Sequence, residues 1–189
     1  MGAMRAEQMA SYVTYEEWEA MDESIRCELL DGVIYDMAAP STRHQKVLTE
    51  IFGQLFIYLR GKRCEVYPAP FAVRLDKAKD IVFQPDITVI CDRDKLTDTG
   101  CEGAPDLVIE IPSPSTARRD RIEKFNEYMI AGVKEYWIVD PIDESVAVHI
   151  LDNGNGKYYT KYYDSTSHIP VSILEDLSID MTQVFEEEV

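Results

Sequence analysis

Two carboxylates occupy positions where an acidic side chain is costly to bury without a partner. Asp86 follows Pro85 and opens the apolar run 87–90. Glu110 closes the apolar run 107–109. A buried carboxylate must be paired, hydrogen-bonded or bound to a metal. On neighbouring strands the two would converge at one end of a sheet. With a backbone carbonyl and waters they form an oxygen-rich site, which suits Mg²⁺ or Mn²⁺ rather than zinc. Taken singly, each acid also reads as an edge residue with its carboxylate in solvent.

The segment after Glu110 supplies a third group. Asp120, Lys124 and Tyr128 are spaced i, i+4, i+8 and share one helical face. Residues 116–124 hold four bases and two acids. This face reads either as a solvated surface with an Asp–Lys pair or as one wall of a site. Tyr128 at this spacing is by itself an ordinary core residue. Two weaker candidates lie upstream: Glu28 on an alternating strand, and His44 near the start of a long helix. His149 and His168 have no evident partners.

The elements that must position these groups follow from periodicity. Thr14 and Glu17 have capping-box spacing, so a short helix is expected over 15–21. Asp31-Gly32 between two apolar stretches predicts a hairpin over 27–30 and 33–37. Ser41 caps a helix over 42–60, with Val47, Leu48, Ile51, Leu55, Phe56 and Leu59 at spacings of three and four, and Gly61 ends it. Short strands are predicted at 64–67, 71–75, 81–83 and 86–90. Residues 92–104 read as a loop. A strand over 106–111 ends at Pro112 and Pro114. Ser115 or Thr116 then caps a helix to about 131, with Ile122, Phe125 and Met129 on its buried stripe. A strand over 133–140 follows, then a hairpin over 145–151 and 157–163 that turns at 153–156. Residues 107–139 have the length of a parallel strand–helix–strand crossover. The expected class is α/β with a mixed sheet.

Composition sets the outer bounds. The 189 residues are 46% hydrophobic and 29% charged, which is ordinary for one folded domain and excludes a disordered acidic chain. No apolar run approaches the ~18 residues of a membrane span. The net charge is −16, so long-range attraction to nucleic acid is absent. Any nucleic-acid function must then use a local basic patch or bound cations. Residues 175–189 hold six acids and no base, which reads as an acidic C-terminal tail. Residues 1–11 read as an N-terminal extension without the apolar stretch of a signal peptide, leaving one domain over 12–174. The four cysteines, Cys27, Cys64, Cys91 and Cys101, form no CxxC pair. Buried reduced thiols in a cytoplasmic protein are expected.

The ordered motifs together carry a resemblance. They are Glu28-Leu29-Leu30-Asp31-Gly32, Pro40-Ser41 with His44, Gln84-Pro85-Asp86, Leu107-Val108-Ile109-Glu110, Ser113 to Thr116, Asp120-Arg121, Lys124, Tyr128 and the run 132–141. This set resembles the Uma2 family of candidate restriction endonucleases, within the PD-(D/E)XK nuclease superfamily, over roughly residues 12–165. The resemblance implies a restriction-endonuclease-like mixed sheet flanked by helices, with added N-terminal and C-terminal β-hairpins. It implies that Asp86, Glu110 and the carbonyl of Ile111 bind Mg²⁺, with Mn²⁺ as substitute. The metal would polarise a phosphate and activate water against a phosphodiester. The superfamily's usual lysine lies two residues after the Glu, where this chain has Pro112. Lys124 matches the helix lysine thought to replace it.

The implied function is Mg²⁺-dependent endonuclease action on DNA. A fold-conserving binding or scaffold module, or a hydrolase of a small phosphoester, are the alternatives, since fold alone does not set function. A homodimer is expected, because two strands must be cut and Tyr158, Tyr159, Tyr162 and Tyr163 offer aromatic surface.

Overall fold

The computed structural model describes residues 12–22, 25–114, 116–152 and 154–186. The 1–11 extension, Ser115 and Asn153 lie outside them. Helix α1 (Tyr15–Glu19) is capped by Thr14 and Glu17 as their spacing requires. The hairpin of β1 (Cys27–Leu30) and β2 (Val33–Asp36) turns at Asp31 and Gly32, whose φ of 49° and 77° are the two positive values that a type I′ turn needs. Helix α2 (Thr42–Leu59) starts at Ser41, whose Oγ accepts from the His44 N–H at 3.2 Å.

The chain continues through β3 (Glu65–Pro68), β4 (Ala72–Arg74), β5 (Ile81–Phe83), β6 (Ile87–Ile90), β7 (Gly100–Glu102) and β8 (Leu107–Glu110). A π-helical turn over Arg119–Lys124 runs into α3 (Phe125–Ala131). Next come β9 (Glu135–Asp140), β10 (Ser145–Asp152), β11 (Lys157–Asp164), β12 (His168–Pro170), β13 (Ser178–Asp180) and α4 (Met181–Val184).

The main sheet has six strands in the order β11-β10-β9-β8-β6-β3, with β8 and β9 parallel through the expected crossover. A second sheet has the order β2-β1-β5-β4-β7. Alternation along β8 divides the core. Leu107 and Ile109 face α2, packing with Val47, Ile51, Leu55 and Leu59. Val108 faces the other way, with Tyr128, Tyr136 and the second sheet. Each of these buried side chains stabilises the fold by about 1.5–3 kcal/mol relative to exposure. Among the described residues, no helix is long and apolar enough to cross a membrane.

The structure corrects four expectations. Residues 92–104 are not all loop, because β7 pairs in parallel with β4. Here a glycine is obligatory: a Cβ on Gly100 would lie 2.1 Å from the Ala72 carbonyl oxygen. Gly100→Ala should therefore cost about 2–3 kcal/mol in urea unfolding, in the upper range of single substitutions. Second, residues 175–186 are not a tail. Ile179, Met181, Val184 and Phe185 are buried against α2, Asp180 caps α4, and Glu175, Asp176 and Glu186 are exposed. Third, Cys64 and Cys91 form a disulfide, since the β3–β6 register that pairs Glu65 with Ile90 carries them opposite one another. Cys27 and Cys101 are free and buried. Fourth, Ile122 is 50% exposed, because the π-turn rotates it off the stripe, and Phe56 on α2 is also exposed.

Candidate active site

The β6–β8 register pairs Ile87 with Ile109, so one step outward sets Asp86 opposite Glu110 on adjacent antiparallel chains. Directly opposed residues point to the same face of a sheet. Asp86 is fixed by two contacts. Its Oδ2 accepts from the Ile111 N–H at 2.7 Å, and its Oδ1 lies 3.1 Å from His44 Nε2. The first turn of α2 thus reaches over the end of the sheet to hold this carboxylate. The other ring nitrogen of His44, Nδ1, is buried without a hydrogen-bond partner.

Glu110 lies deeper, at 4% exposure. Its Oε1 accepts from Lys124 Nζ at 2.9 Å and from the Tyr128 hydroxyl at 3.0 Å. Lys124 is 3% exposed, so it is no surface lysine. Its ammonium also sits 2.7 Å from Glu28 Oε1 and 3.5 Å from Asp120 Oδ1. The π-turn carries both Asp120 and Lys124 inward, although neither residue type favours burial. Glu28 in turn accepts from the Gln84 N–H at 2.9 Å and pairs with Arg119 Nη2 at 3.1 Å. Arg119 lies over the Tyr35 ring at 4.7 Å, and its buried Nε has no hydrogen-bond partner.

The electrostatics follow from the count. Four carboxylates, Glu28, Asp86, Glu110 and Asp120, face two permanent cations, Lys124 and Arg119. Burial, aided by the nearby charges of Asp120, Asp86 and Glu28, pushes the Glu110 carboxyl well above the usual carboxylate range against the opposing pull of Lys124. Burial likewise raises Asp120 against the opposing pull of Lys124. Burial alone would lower Lys124, but Glu110, Glu28 and Asp120 outweigh it and hold its charge.

The donor set suits a hard ion. The two carboxylates and the main-chain carbonyl offer oxygens, and Mg²⁺ is commonly bound through one or two carboxylates with waters completing the shell. Among the described residues, no three His, Cys, Asp or Glu side chains are drawn together as a preformed centre. Two facing carboxylates and a main-chain oxygen would serve such an ion. These groups line a cleft of about 390 Å³ whose walls include His44, Asp86, Pro112, Arg119 and Lys124.

The structure thus brings together every candidate named from the sequence: Asp86, Glu110, Ile111, Lys124, Glu28 and His44. It adds two that spacing did not single out, Arg119 and Gln84, and gives Tyr128, placed by spacing on the Lys124 face, a polar contact in the site. Arg119 and Gln84 hold Glu28, and Tyr128 donates to Glu110 while its ring lies in the core. The signal for Arg119 was its place in the basic segment beside Asp120. Tyr128 was legible as sharing a face with Lys124, and by itself read as an ordinary core residue.

A family model described as "Putative restriction endonuclease", Uma2, matches residues 12–182. An uncharacterised Synechocystis protein, slr1290, is 30% identical over 114 residues, covering 60% of this chain and 59% of its own length. This chain therefore spans well under two thirds of that relative. A crystal structure titled as a putative nuclease belonging to DUF820, from Anabaena variabilis, superposes with a TM-score of 0.75. It is 21% identical, with 92% of this chain and 97% of the other covered, which establishes the shared fold.

Proposed function

The chain belongs to the Uma2 family, and on that premise we propose that it is an endonuclease that uses Mg²⁺, or Mn²⁺ as substitute, to hydrolyse phosphodiester bonds in DNA. The observation that supports this reading is the β6–β8 register, whose continuation by one residue sets Asp86 opposite Glu110, with Lys124 Nζ 2.9 Å from Glu110.

Each residue has a distinct part. Asp86 and Glu110, with the Ile111 carbonyl, would hold the ion, which supplies Lewis-acid polarisation of the phosphate and a more acidic water. His44 and the Ile111 N–H orient Asp86. Tyr128 orients Glu110. Lys124 replaces the lysine that Pro112 cannot supply, and its charge opposes the negative charge that develops on the phosphate. Glu28 and Asp120 hold the ammonium in place, and Arg119 offsets the charge of Glu28.

The −16 charge favours a second reading, hydrolysis of a small phosphoester or a binding role without cleavage. Much of the basic segment is already engaged: Arg119 with Glu28, and Arg121 with Asp140 at 2.8 Å. Nicking of supercoiled plasmid separates the readings. Mg²⁺- or Mn²⁺-dependent nicking that EDTA stops is expected; failure on every DNA form tried would leave the second reading.

Cutting both strands calls for two sites, and a homodimer belongs to the proposal. Strand β11 is the edge of the main sheet and eight residues long. Tyr162 is 80% exposed on it, and Tyr159 is exposed beside it. Tyr158 is not available, since its hydroxyl donates to the Val133 carbonyl at 2.7 Å, and Tyr163 packs on the core. Sedimentation at micromolar concentration should show a dimer that Tyr162→Lys dissociates. A monomer at high micromolar concentration would remove this part of the proposal.

A further inference from the structure

Behind the cleft lies a second cavity, of about 530 Å³, between α1 and the β1-β5-β4-β7 face of the second sheet. The two spaces adjoin at one edge, where Gln84 and Pro70 line both. Gln84 also stands two residues before Asp86 on the same strand exit. A group seated at this shared edge would lie next to the cleft that holds Asp86 and Glu110. Nothing in the proposed chemistry uses the space.

Its walls favour a flat, uncharged heteroaromatic ring. Tyr15 and Trp18 are stacked with centroids 6.1 Å apart, and Phe71, itself stacked on Tyr67, also lines the cavity. The Arg74 guanidinium lies over Tyr15 at 3.5 Å. Aromatic faces and a guanidinium plane bind nucleobases by stacking, each base adding about 1–3 kcal/mol without demanding a sequence. Glu19, Asp22 and Glu102 on the rim outnumber Arg74, so a phosphate is disfavoured inside. The carbonyl oxygen of the Gln84 side chain is buried without a donor, which a base with an exocyclic amino group could supply after a small side-chain shift. The volume falls within the range of small-ligand sites, about 300–1,000 Å³.

We propose that the cavity between α1 and the second sheet is a nucleobase pocket that receives an unpaired base next to the phosphate held at Asp86 and Glu110. This rests on the nuclease reading and narrows it. A base inside a duplex cannot enter without being unstacked, so the preferred substrate is single-stranded DNA or an extruded nucleotide.

Trp18 is the reporter, since the other tryptophan, Trp137, is fully buried. Fluorescence is excited at the red edge, in EDTA, so that nothing is cut. Adenosine should quench Trp18 saturably, and deoxyribose 5-phosphate should bind at least about tenfold more weakly. Trp18→Phe should abolish the signal. Thr99→Tyr, placed at an exposed rim position that leaves the core untouched, should weaken adenosine binding about tenfold or more. A twelve-nucleotide single strand should quench Trp18 far more strongly than its duplex. An absent adenosine response, or an equal response to the sugar phosphate, overturns the pocket; equal quenching by duplex overturns the unpaired-base preference. Adenosine binding by a protein that cuts no DNA would leave the pocket standing and remove the nuclease reading. Cleavage without adenosine binding would do the reverse.

Discussion

Asp86→Ala is expected to abolish divalent-ion binding and to lower DNA cleavage by on the order of 10³-fold or more, since the ion's transition-state stabilisation is worth several kcal/mol. The substitution also removes the acceptor for the Ile111 N–H and the partner of His44. An orphaned buried N–H costs about 1–3 kcal/mol, so part of any loss could come from the fold. Asp86→Asn separates the two effects. It keeps an oxygen for Ile111 and removes only the charge. Calorimetric titration with Mn²⁺ and a plasmid assay on both variants should show the same loss of metal and of cutting. Asn retaining full activity would mean that the carboxylate is structural.

Lys124→Ala is expected to give a different pattern. A solvated lysine would lose only a surface pair worth about 0–1 kcal/mol. The observed lysine is buried among Glu110, Glu28 and Asp120. Its removal leaves buried carboxylates without their cation, at a cost of about 3–5 kcal/mol in metal-free protein. The greater negative excess should keep Mn²⁺ binding near normal, and Mn²⁺ should raise the melting temperature of this variant more than that of the parent. Cleavage at saturating Mn²⁺ should fall about 10²-fold or more, because the charge opposing the developing phosphate charge is gone. Lys124→Ala that binds Mn²⁺ and cuts as fast as the parent would show that Pro112 has not been compensated from this helix.

Much of this arrangement was legible before any coordinates. The α2 periodicity, the Asp31-Gly32 turn and the apolar run ending at Glu110 are local signals, and local physics decides such elements. Asp86 and Glu110 were conspicuous because a carboxylate at the end of a buried strand needs an explanation. What lay beyond reach was tertiary. Strand β7 exists only because Gly100 can approach Ala72, and three residues carry no periodicity of their own. The C-terminal segment was hidden by its acids, which mask the interleaved Ile179, Met181 and Val184. The Cys64–Cys91 bond depends on a register that neither segment reveals alone. Arg119 joins the site through the π-turn, whose start it forms and whose irregular geometry no local spacing reveals.

The most direct measurement takes Mn²⁺ binding and DNA cleavage on one preparation over the same range of Mn²⁺ concentration. Asp86 and Glu110 as one divalent site require a stoichiometry of about one ion per chain and a cleavage rate that rises with the same midpoint as the binding isotherm. Asp86→Asn should flatten both curves. Cleavage that persists in EDTA, or Mn²⁺ binding that is unchanged in Asp86→Asn, would contradict the assignment of the site.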